Sequence, residues 1–163
     1  MVPEREFVIE RAGAAQADEF VVLRLELFEE LAQPGRPLER EPLAARTRAA
    51  YLRGVTAGTL LVWIARTPAG EALGTLAMHL FPRLPSPASP TGEEGYVVHV
   101  HTRPAWRRRG VGSALMQALL DEARARGLCR LRLHTTQEGR QLYTLFGFRE
   151  HADNMHLVLE PTS

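Results

Sequence analysis

The chain has 163 residues, of which 45% are hydrophobic, so we expect one domain over residues 1–163 with a single core. Its net charge of +1, with acids and bases interspersed, argues against a broad nucleic-acid interface, which requires a basic face. The single cysteine, Cys129, excludes an intramolecular disulfide, and no apolar stretch reaches the roughly 18 residues that span a bilayer. We therefore expect a soluble, cytoplasmic protein without membrane contact.

The first third of the chain predicts a strand and two helices. Residues 7–10 are apolar and partly β-branched, which is typical of a strand. Residues 14–32 predict an amphipathic helix, and residues 38–53 predict a second helix that ends at Gly54. The first of these helices carries its apolar side chains at helical spacing, namely Phe20, Leu23, Leu27, Phe28 and Leu31.

The period then changes to that of strands. The later elements, in chain order, are strands at 59–65 and 72–81, a loop at 82–95, a strand at 96–102, a helix at 110–126, a strand at 128–133, a helix at 138–146 and a strand at 155–159. This order predicts an α/β (α+β) fold, in which a mixed sheet carries helices on both faces.

The strongest chemical signal is the segment Arg107-Arg108-Arg109-Gly110-Val111-Gly112-Ser113-Ala114, which follows a strand and opens a helix. The first turn of a helix has unpaired N–H groups and a partial positive charge, so it attracts anions. Glycine at positions 110 and 112 lets a phosphate approach the backbone closely, and the arginines add charge. The segment predicts a phosphate or pyrophosphate site.

Other interpretations of this segment make different predictions. The two glycines could serve only tight packing of the helix on the sheet, with the arginines solvated. A nucleotide-triphosphatase loop is excluded because the Gly-Lys-Ser/Thr sequence is missing. A dinucleotide-binding loop is disfavoured because position 115 is Leu and because such a loop normally follows the first strand.

The segment resembles the signature Arg/Gln-x-x-Gly-x-Gly/Ala of the GNAT (GCN5-related N-acetyltransferase) superfamily, through Arg107, Gly110 and Gly112. The preceding His99-Val100-His101-Thr102-Arg103-Pro104 is similar to the strand and approach turn of that family. A second motif, Leu142-Tyr143-Thr144-Leu145-Phe146-Gly147-Phe148, resembles its C-terminal part. The resemblance implies a mixed, mostly antiparallel twisted sheet of six to seven strands and a cleft for acetyl-CoA, with no metal.

Roles in that cleft follow from the resemblance. The backbone of Val100, His101 and Thr102 would pair with the pantetheine arm, and Val100 or His101 would also supply an oxyanion-holding N–H. The pyrophosphate would lie beside Arg107 and the amides of Arg108, Arg109, Gly110, Val111, Gly112 and Ser113. Tyr143 would contact the cofactor and protonate the departing thiolate, because a tyrosine stays protonated at neutral pH. Alternatively, Tyr143 only packs against the sheet.

The attacking amine must lose a proton, directly or through water. His99, His101 and Glu94 are candidate bases around the fourth strand, and His134 is a weaker one. Alternation places both strand histidines on one face, but a β-bulge, usual in this strand of the family, would change that assignment. The residues therefore leave the base open, and with it the face that meets the acceptor.

The resemblance predicts transfer of an acetyl group from acetyl-CoA to a primary amine of a small molecule, by direct attack in a ternary complex. A non-catalytic acyl-CoA-binding domain is the alternative, and a nucleic-acid-binding module is disfavoured by the charge. A homodimer could form through the last strands. The acid residues near the acceptor would suit a cationic amine, unless they are simply a solvated surface: Glu26, Glu29, Glu30, Glu93 and Glu94.

Overall fold

The computed structural model describes residues 6–151 and 155–159, and it is built around a five-stranded sheet in the order β1-β2-β3-β4-β5. Strands β1 to β4 are antiparallel, and β5 joins β4 in parallel. The strands are β1 (Val8–Ala12), β2 (Leu60–Arg66), β3 (Ala72–Pro82), β4 (Glu93–Thr102) and β5 (Leu131–Leu133). The α-helices are α1 (Ala17–Glu30), α2 (Arg40–Ala57), α3 (Val111–Ala125) and α4 (Arg140–Leu145), and short 3-10 turns lie at Ala14–Gln16 and Pro104–Trp106.

Helices cover both faces of the sheet. Helices α1 and α2 pack on one face, called the α1 face below, where Phe20, Leu23 and Tyr51 form a core with Val62 and Ile64. Helix α3 packs on the opposite, α3 face, with a larger apolar cluster that takes side chains from the sheet and the helix: Leu61, Trp63, Leu76, Met78, Val97, Leu115, Met116 and Leu119. Strand β2 is buried along nearly its whole length because both faces are covered, which explains its continuous apolar run. The predicted α/β arrangement is confirmed.

The expectation of six to seven strands is wrong for the part of the chain that the structure describes. The strand predicted at 155–159 does not form: these residues have no regular secondary structure, and Met155 and Leu157 are 99% and 82% exposed. Their apolar sequence suits a strand, but a strand also needs a hydrogen-bonded neighbour, and β-propensity alone does not provide one. Strand β5 is likewise three residues long rather than six, because only that part pairs with β4.

Helix α2 does not end at Gly54 as predicted. It continues to Ala57, and its last turn is closed by Gly58, whose φ of 72° is the left-handed conformation that glycine favours. Gly54 has a packing role instead, because a Cβ atom there would lie 2.7 Å from the Cβ of Leu60. The prediction treated a glycine required for close approach as a helix stop.

Among the described residues, no helix is both long and apolar enough to cross a membrane.

Candidate functional site

A β-bulge in the middle of β4 sets which side chains face which helix. Ala77 pairs with His99 and the next residue of β3, Met78, pairs with Val97, so Val98 has no partner in the ladder. One extra residue makes two consecutive side chains point to the same face. Val98 packs in the α1-face core and the His99 ring contacts Phe20 of α1, whereas Val97 packs on the α3 face. The bulge therefore leaves both strand histidines on the α1 face.

Strand β4 also loses its second neighbour at the bulge. Its pairing with β5 ends at Val97 opposite Leu133, so the edge of β4 from Val98 to Thr102 is open. The N–H of Arg103 donates to Leu73 O of β3 at 2.9 Å. Because backbone groups of alternate residues point to opposite sides of an antiparallel strand, those of Val100 and Thr102 point to the open edge. The backbone of His101 points to β3 instead.

The turn from Arg107 to Gly110 places the start of α3 beside this open edge. Arg108 and Gly110 have φ values of 58° and 84°, and Gly110 is the N-cap of α3. The first helical bond runs from Ala114 N–H to Gly110 O at 3.0 Å, which leaves the preceding N–H groups free of helix bonds. A Cβ on Gly112 would lie 4.0 Å from the Thr102 hydroxyl. The open edge and the helix N-terminus therefore form one continuous surface.

The consecutive arginines 107–109 differ in their hydrogen bonds and ion pairs. Arg107 donates through Nε to Thr102 O at 2.9 Å and forms an ion pair with Glu30. Arg109 pairs with Glu6 at 3.0 Å, and its guanidinium stacks on Trp106 at 4.5 Å. Arg108 is exposed and has no ion pair within residues 6–151 and 155–159. The positive charge of the turn is therefore partly neutralised by carboxylates from α1 and from the residues before β1.

Tyr143 lies on α4, and the residue before it, Leu142, lies 3.4 Å from the position of a Cβ on Gly112 of α3. Its ring packs against the α3-face core and meets Phe148 edge-on at 5.9 Å. Burial raises the pKa of the phenol, so the hydroxyl is protonated at neutral pH. The helix ends as the sequence suggested, since Gly147 has a φ of 90° and the N–H of Phe148 donates to Tyr143 O at 3.0 Å. This cap holds the tyrosine backbone in place.

His99 is a buried, neutral imidazole. It is 2% exposed, and neither ring nitrogen has a hydrogen-bond partner in the described part of the chain. Burial, together with the nearby charges of Arg24 and His101, lowers its pKa to about 3. At neutral pH, His99 therefore has a free lone pair but little basicity.

His101 is buried to the same extent but is held by a carboxylate. Its Nε2 lies 3.2 Å from Glu26 Oε2, and Glu26 also accepts two hydrogen bonds from Arg103, at 2.9 and 3.1 Å. Burial pushes the Glu26 pKa upward, but the hydrogen bonds from Arg103 and His101 outweigh it, so the net pKa is lowered. Glu26 is thus an ionised group that orients the His101 ring.

The acidic residues of α1 are largely occupied by arginines. Glu26 pairs with Arg103, Glu29 with Arg40 and Glu30 with Arg107. These three glutamates also border an open depression of about 620 Å³, together with Arg103, Pro104 and Ala105. Because each carboxylate has a cationic neighbour, this part of α1 offers little net negative charge to a cationic acceptor.

Glu94 lies at the N-terminal end of β4 (Glu93–Thr102), away from the two histidines. It is 2% exposed and is surrounded by three guanidinium groups, those of Arg83, Arg130 and Arg132. An ion-paired carboxylate in this position is a poor candidate base. His134, by contrast, is exposed, and its ring lies 5.6 Å from that of Tyr96. Neither residue joins the cluster formed by His99 and His101.

Sequence reasoning missed several arginines of the site. Arg24 of α1 lies near His99 on the α1 face of the sheet, and Arg103 holds Glu26. Arg24 follows Phe20 by four residues, so its helical spacing on the buried stripe was a signal. Arg130 and Arg132 alternate with Leu131 and Leu133, which is the period of a strand with one polar face.

The comparisons with known proteins agree with this architecture. The model of the acetyltransferase (GNAT) family matches residues 24–148. This range covers more than half of the chain and includes the bulged strand, the α3 turn and α4. The chain therefore belongs to the GNAT acetyltransferase family.

Individual relatives are more distant. A glucosamine 6-phosphate N-acetyltransferase from Trypanosoma brucei brucei is 25% identical over 103 residues, which are 63% of this chain and 68% of that protein. A predicted acetyltransferase from Clostridium acetobutylicum, solved with acetyl-CoA, superposes with a TM-score of 0.82 at 20% identity, over 93% of this chain and 96% of that one. A GCN5-related N-acetyltransferase from Ralstonia eutropha superposes with a TM-score of 0.78 at 24% identity, over 93% and 98%. These two structures show a shared fold.

Proposed function

We propose that the protein transfers an acetyl group from acetyl-CoA to a primary amine of a small molecule, by direct attack within a ternary complex. The observation that carries the proposal is the continuous surface formed by the open edge of β4 and the N-terminus of α3. An extended amide chain can pair with the outward backbone groups of Val100 and Thr102, as an added strand does. A pyrophosphate can then meet the free N–H groups at Gly112 and its neighbours.

The residues present fit this ligand. The approach of a phosphate requires a surface without side chains, and Gly110 and Gly112 provide it. Arg108 can move freely toward an anion, whereas Arg107 and Arg109 would first leave Glu30 and Glu6. Arg107 also covers the Thr102 carbonyl, so we expect its side chain to shift when a pantetheine amide donates to that oxygen.

The chemistry divides between Tyr143 and the backbone of β4. The amine nitrogen attacks the thioester carbonyl, and the outward N–H of Val100 is placed to hold the resulting oxyanion. When the C–S bond breaks, the Tyr143 hydroxyl gives its proton to the thiolate, and the raised pKa of this tyrosine ensures that the proton is present. The acetylated amine and free CoA are the products.

For the proton of the incoming ammonium we favour His101 over His99. The carboxylate of Glu26 would stabilise a positively charged His101 ring, in the way that an aspartate orients and stabilises a catalytic histidine. His99, with a pKa of about 3, would hold a water or the amine as a neutral partner. Transfer to His101 would pass through water, since its ring is buried.

The amine acceptor class is supported by the Trypanosoma brucei brucei relative, which is named for an amino sugar phosphate. A panel of small amines, followed by release of CoA thiol, tests the proposal. We expect turnover of at least one amine, with kcat lowered about 100-fold in Tyr143→Phe and an unchanged Kd for acetyl-CoA. Binding without thiol release from any amine would instead support a non-catalytic acyl-CoA-binding role.

A further inference from the structure

The N-terminal half of β4 carries an excess of positive charge that the proposed chemistry does not use. Glu94 Oε2 lies 3.2 Å from Arg132 Nε and 3.7 Å from Arg83 Nε, and its Oε1 lies 3.7 Å from Arg130 Nη1. One carboxylate can neutralise one of these three guanidinium groups. We call Arg83, Arg130 and Arg132 the β5-end arginines.

The charges in this cluster are not satisfied by one another. Glu94 Oε2 and Arg132 Nε are both buried, and neither has a hydrogen bond of good geometry with the described residues. Each arginine side chain is also partly open to solvent, with exposed fractions between 35% and 46%. Like charges held this close are costly unless an anion lies between them. The cluster is therefore suited to a ligand that brings a negative charge from solvent.

The cluster lies on the α1 face of the sheet, the face of His99 and His101 to which the proposed function assigns the proton of the amine. A Cβ on Gly95 would meet Met78 and Leu131 of the α3-face core, so the neighbouring Glu94 and Tyr96 point to the α1 face. Arg132 is the register partner of Tyr96. Tyr96 is two residues from the bulge at Val98, a separation of roughly 7 Å along the strand. That distance is comparable to the length of a small amino sugar or amino acid.

The cofactor's own phosphates cannot account for the cluster. The proposed pyrophosphate site lies beside Thr102, at the opposite end of β4. Glu94 and Thr102 are eight residues apart, which corresponds to roughly 26 Å of extended strand. An anion bound by the β5-end arginines would therefore be a different one.

Arg24 extends the same positive surface toward the bulge. It has no ion pair among the described residues, its guanidinium stacks on Phe28 at 4.7 Å, and burial lowers its pKa. Its charge acts on both His79 and His99. His79 is the register partner of Tyr96, so His79 and Arg132 flank that tyrosine in the sheet, and the charge of Arg24 acts on the first of them.

We propose that the acceptor amine carries an anionic group, a phosphate or a carboxylate, which the β5-end arginines bind while the amine lies at the β4 bulge. This inference rests on the proposed acetyl transfer and adds the substrate class. It reverses the expectation of a cationic acceptor, because Glu26, Glu29, Glu30 and Glu94 are each paired with arginine. Arg132 is the main binding residue, since it lies level with Tyr96.

The test compares matched amines that differ in the anion. Glucosamine 6-phosphate is paired with glucosamine, and γ-aminobutyrate with butylamine, in calorimetric titrations with CoA present and in acetyl-transfer assays. We expect one amine that bears the anionic group to have a Kd about ten- to a hundredfold lower than its partner without that group, and a kcat/KM higher by a similar factor, as for a charge-assisted hydrogen bond. A preference within the glucosamine pair would indicate a phosphate site, and a preference within the γ-aminobutyrate pair would indicate a carboxylate site.

Variants assign the effect to the cluster. Arg132→Gln should abolish the preference and leave the Kd of acetyl-CoA unchanged, whereas Arg132→Lys should retain part of it. Arg124→Gln is the matched control, because Arg124 lies exposed on α3 and pairs with Asp121 at 3.5 Å, far from Glu94 in the sequence. Arg130→Gln serves as a second test if Arg132→Gln lowers the melting temperature.

The outcomes distinguish failure of the anionic-acceptor inference from failure of the proposed acetyl transfer. If acetyl-CoA does not bind wild type, the proposed function fails first. If acetyl-CoA binds but neither anionic amine exceeds its neutral partner, in binding or in turnover, the anionic-acceptor inference is wrong while acetyl transfer stands. A preference that survives in both Arg132→Gln and Arg130→Gln would also overturn it.

Discussion

The two ends of β4 use the same residue type, arginine, in opposite ways. At the C-terminal end, Arg107 and Arg109 are each matched by one carboxylate, and the surface left for an anion is backbone. At the N-terminal end, three guanidinium groups share the single carboxylate of Glu94. The arginine run at 107–109, which is conspicuous in the sequence, is therefore the better neutralised of the two clusters. The β5-end arginines, which have the excess positive charge, come from separate segments of the chain.

The difference indicates two kinds of anion recognition. Free N–H groups at a helix N-terminus bind an anion through fixed dipoles and need no side chain to reorganise. A cluster of guanidinium groups binds through mobile charges and selects anions that present two oxygens to the planar guanidinium, such as carboxylate and phosphate. Binding by backbone N–H groups suits a cofactor that is always the same. Binding by guanidinium groups suits an acceptor that must be distinguished from similar amines.

The largest expected effect comes from removing the carboxylate at the unbalanced end. Glu94→Gln leaves three neighbouring cations without a counter-charge, so we expect the free energy of unfolding to fall by about 3 kcal/mol at low salt. Added sulfate should restore part of the loss. Urea unfolding with and without sulfate measures both.

The matched change at the other end is Glu6→Gln, which breaks an exposed pair with Arg109 and should cost less than about 1 kcal/mol. Equal losses in the two variants would contradict the contrast between the ends of β4.

A second prediction concerns the middle of the strand, where His99 is buried and neutral. Its folded pKa of about 3 lies below the ordinary 6.5, so the unfolded chain binds a proton that the folded chain does not. This contribution to stability is complete above pH 6.5 and is lost as the pH falls toward 3. Between pH 7 and pH 5 it amounts to about 2 kcal/mol.

His99→Leu removes the titrating group without breaking a hydrogen bond to the described residues. Urea unfolding at both pH values should therefore show a smaller loss in this variant than in wild type. The same loss in both proteins would show that other groups cause the pH dependence.

The smallest effect is expected within the arginine run. Arg108→Gln removes the one charge of the run without an ion pair in the described part of the chain, so we expect a several-fold weaker Kd for acetyl-CoA. Arg109→Gln should change that Kd less, because binding through Arg109 must first break its pair with Glu6. Calorimetric titration of acetyl-CoA into both variants measures the two Kd values. A larger loss of affinity in Arg109→Gln than in Arg108→Gln would contradict this prediction.

Much of this arrangement could be predicted from the sequence. The glycines at 110 and 112, the strand before them and the tyrosine of the second motif are local patterns, and the structure brings α3, β4 and α4 together around them. The position of the helix after Gly110 and the cap at Gly147 follow from single-residue conformational preferences.

The parts that could not be predicted depend on distant partners. The resemblance anticipated a β-bulge in β4, but its position at Val98, which decided the face of His99, depends on the register of β4 with β3. Gly54 was misread because its packing against Leu60 is a tertiary contact. The charge of Glu94 was interpreted as available, since nothing in its own segment shows that arginines from β5 and from the residues after β3 surround it.

The central claim is that acetyl-CoA binds where the open edge of β4 meets α3. Calorimetric titration of acetyl-CoA into wild type, Gly112→Ala and Gly112→Glu tests it most directly. A Cβ at this position makes only ordinary contact, at 3.4 Å from Leu142, and a carboxylate is favourable at a helix N-terminus, so both variants should fold. We predict that Gly112→Glu lowers the affinity by at least about 100-fold at unchanged melting temperature, with a smaller loss in Gly112→Ala. Unchanged affinity in Gly112→Glu would place the cofactor elsewhere and contradict the account.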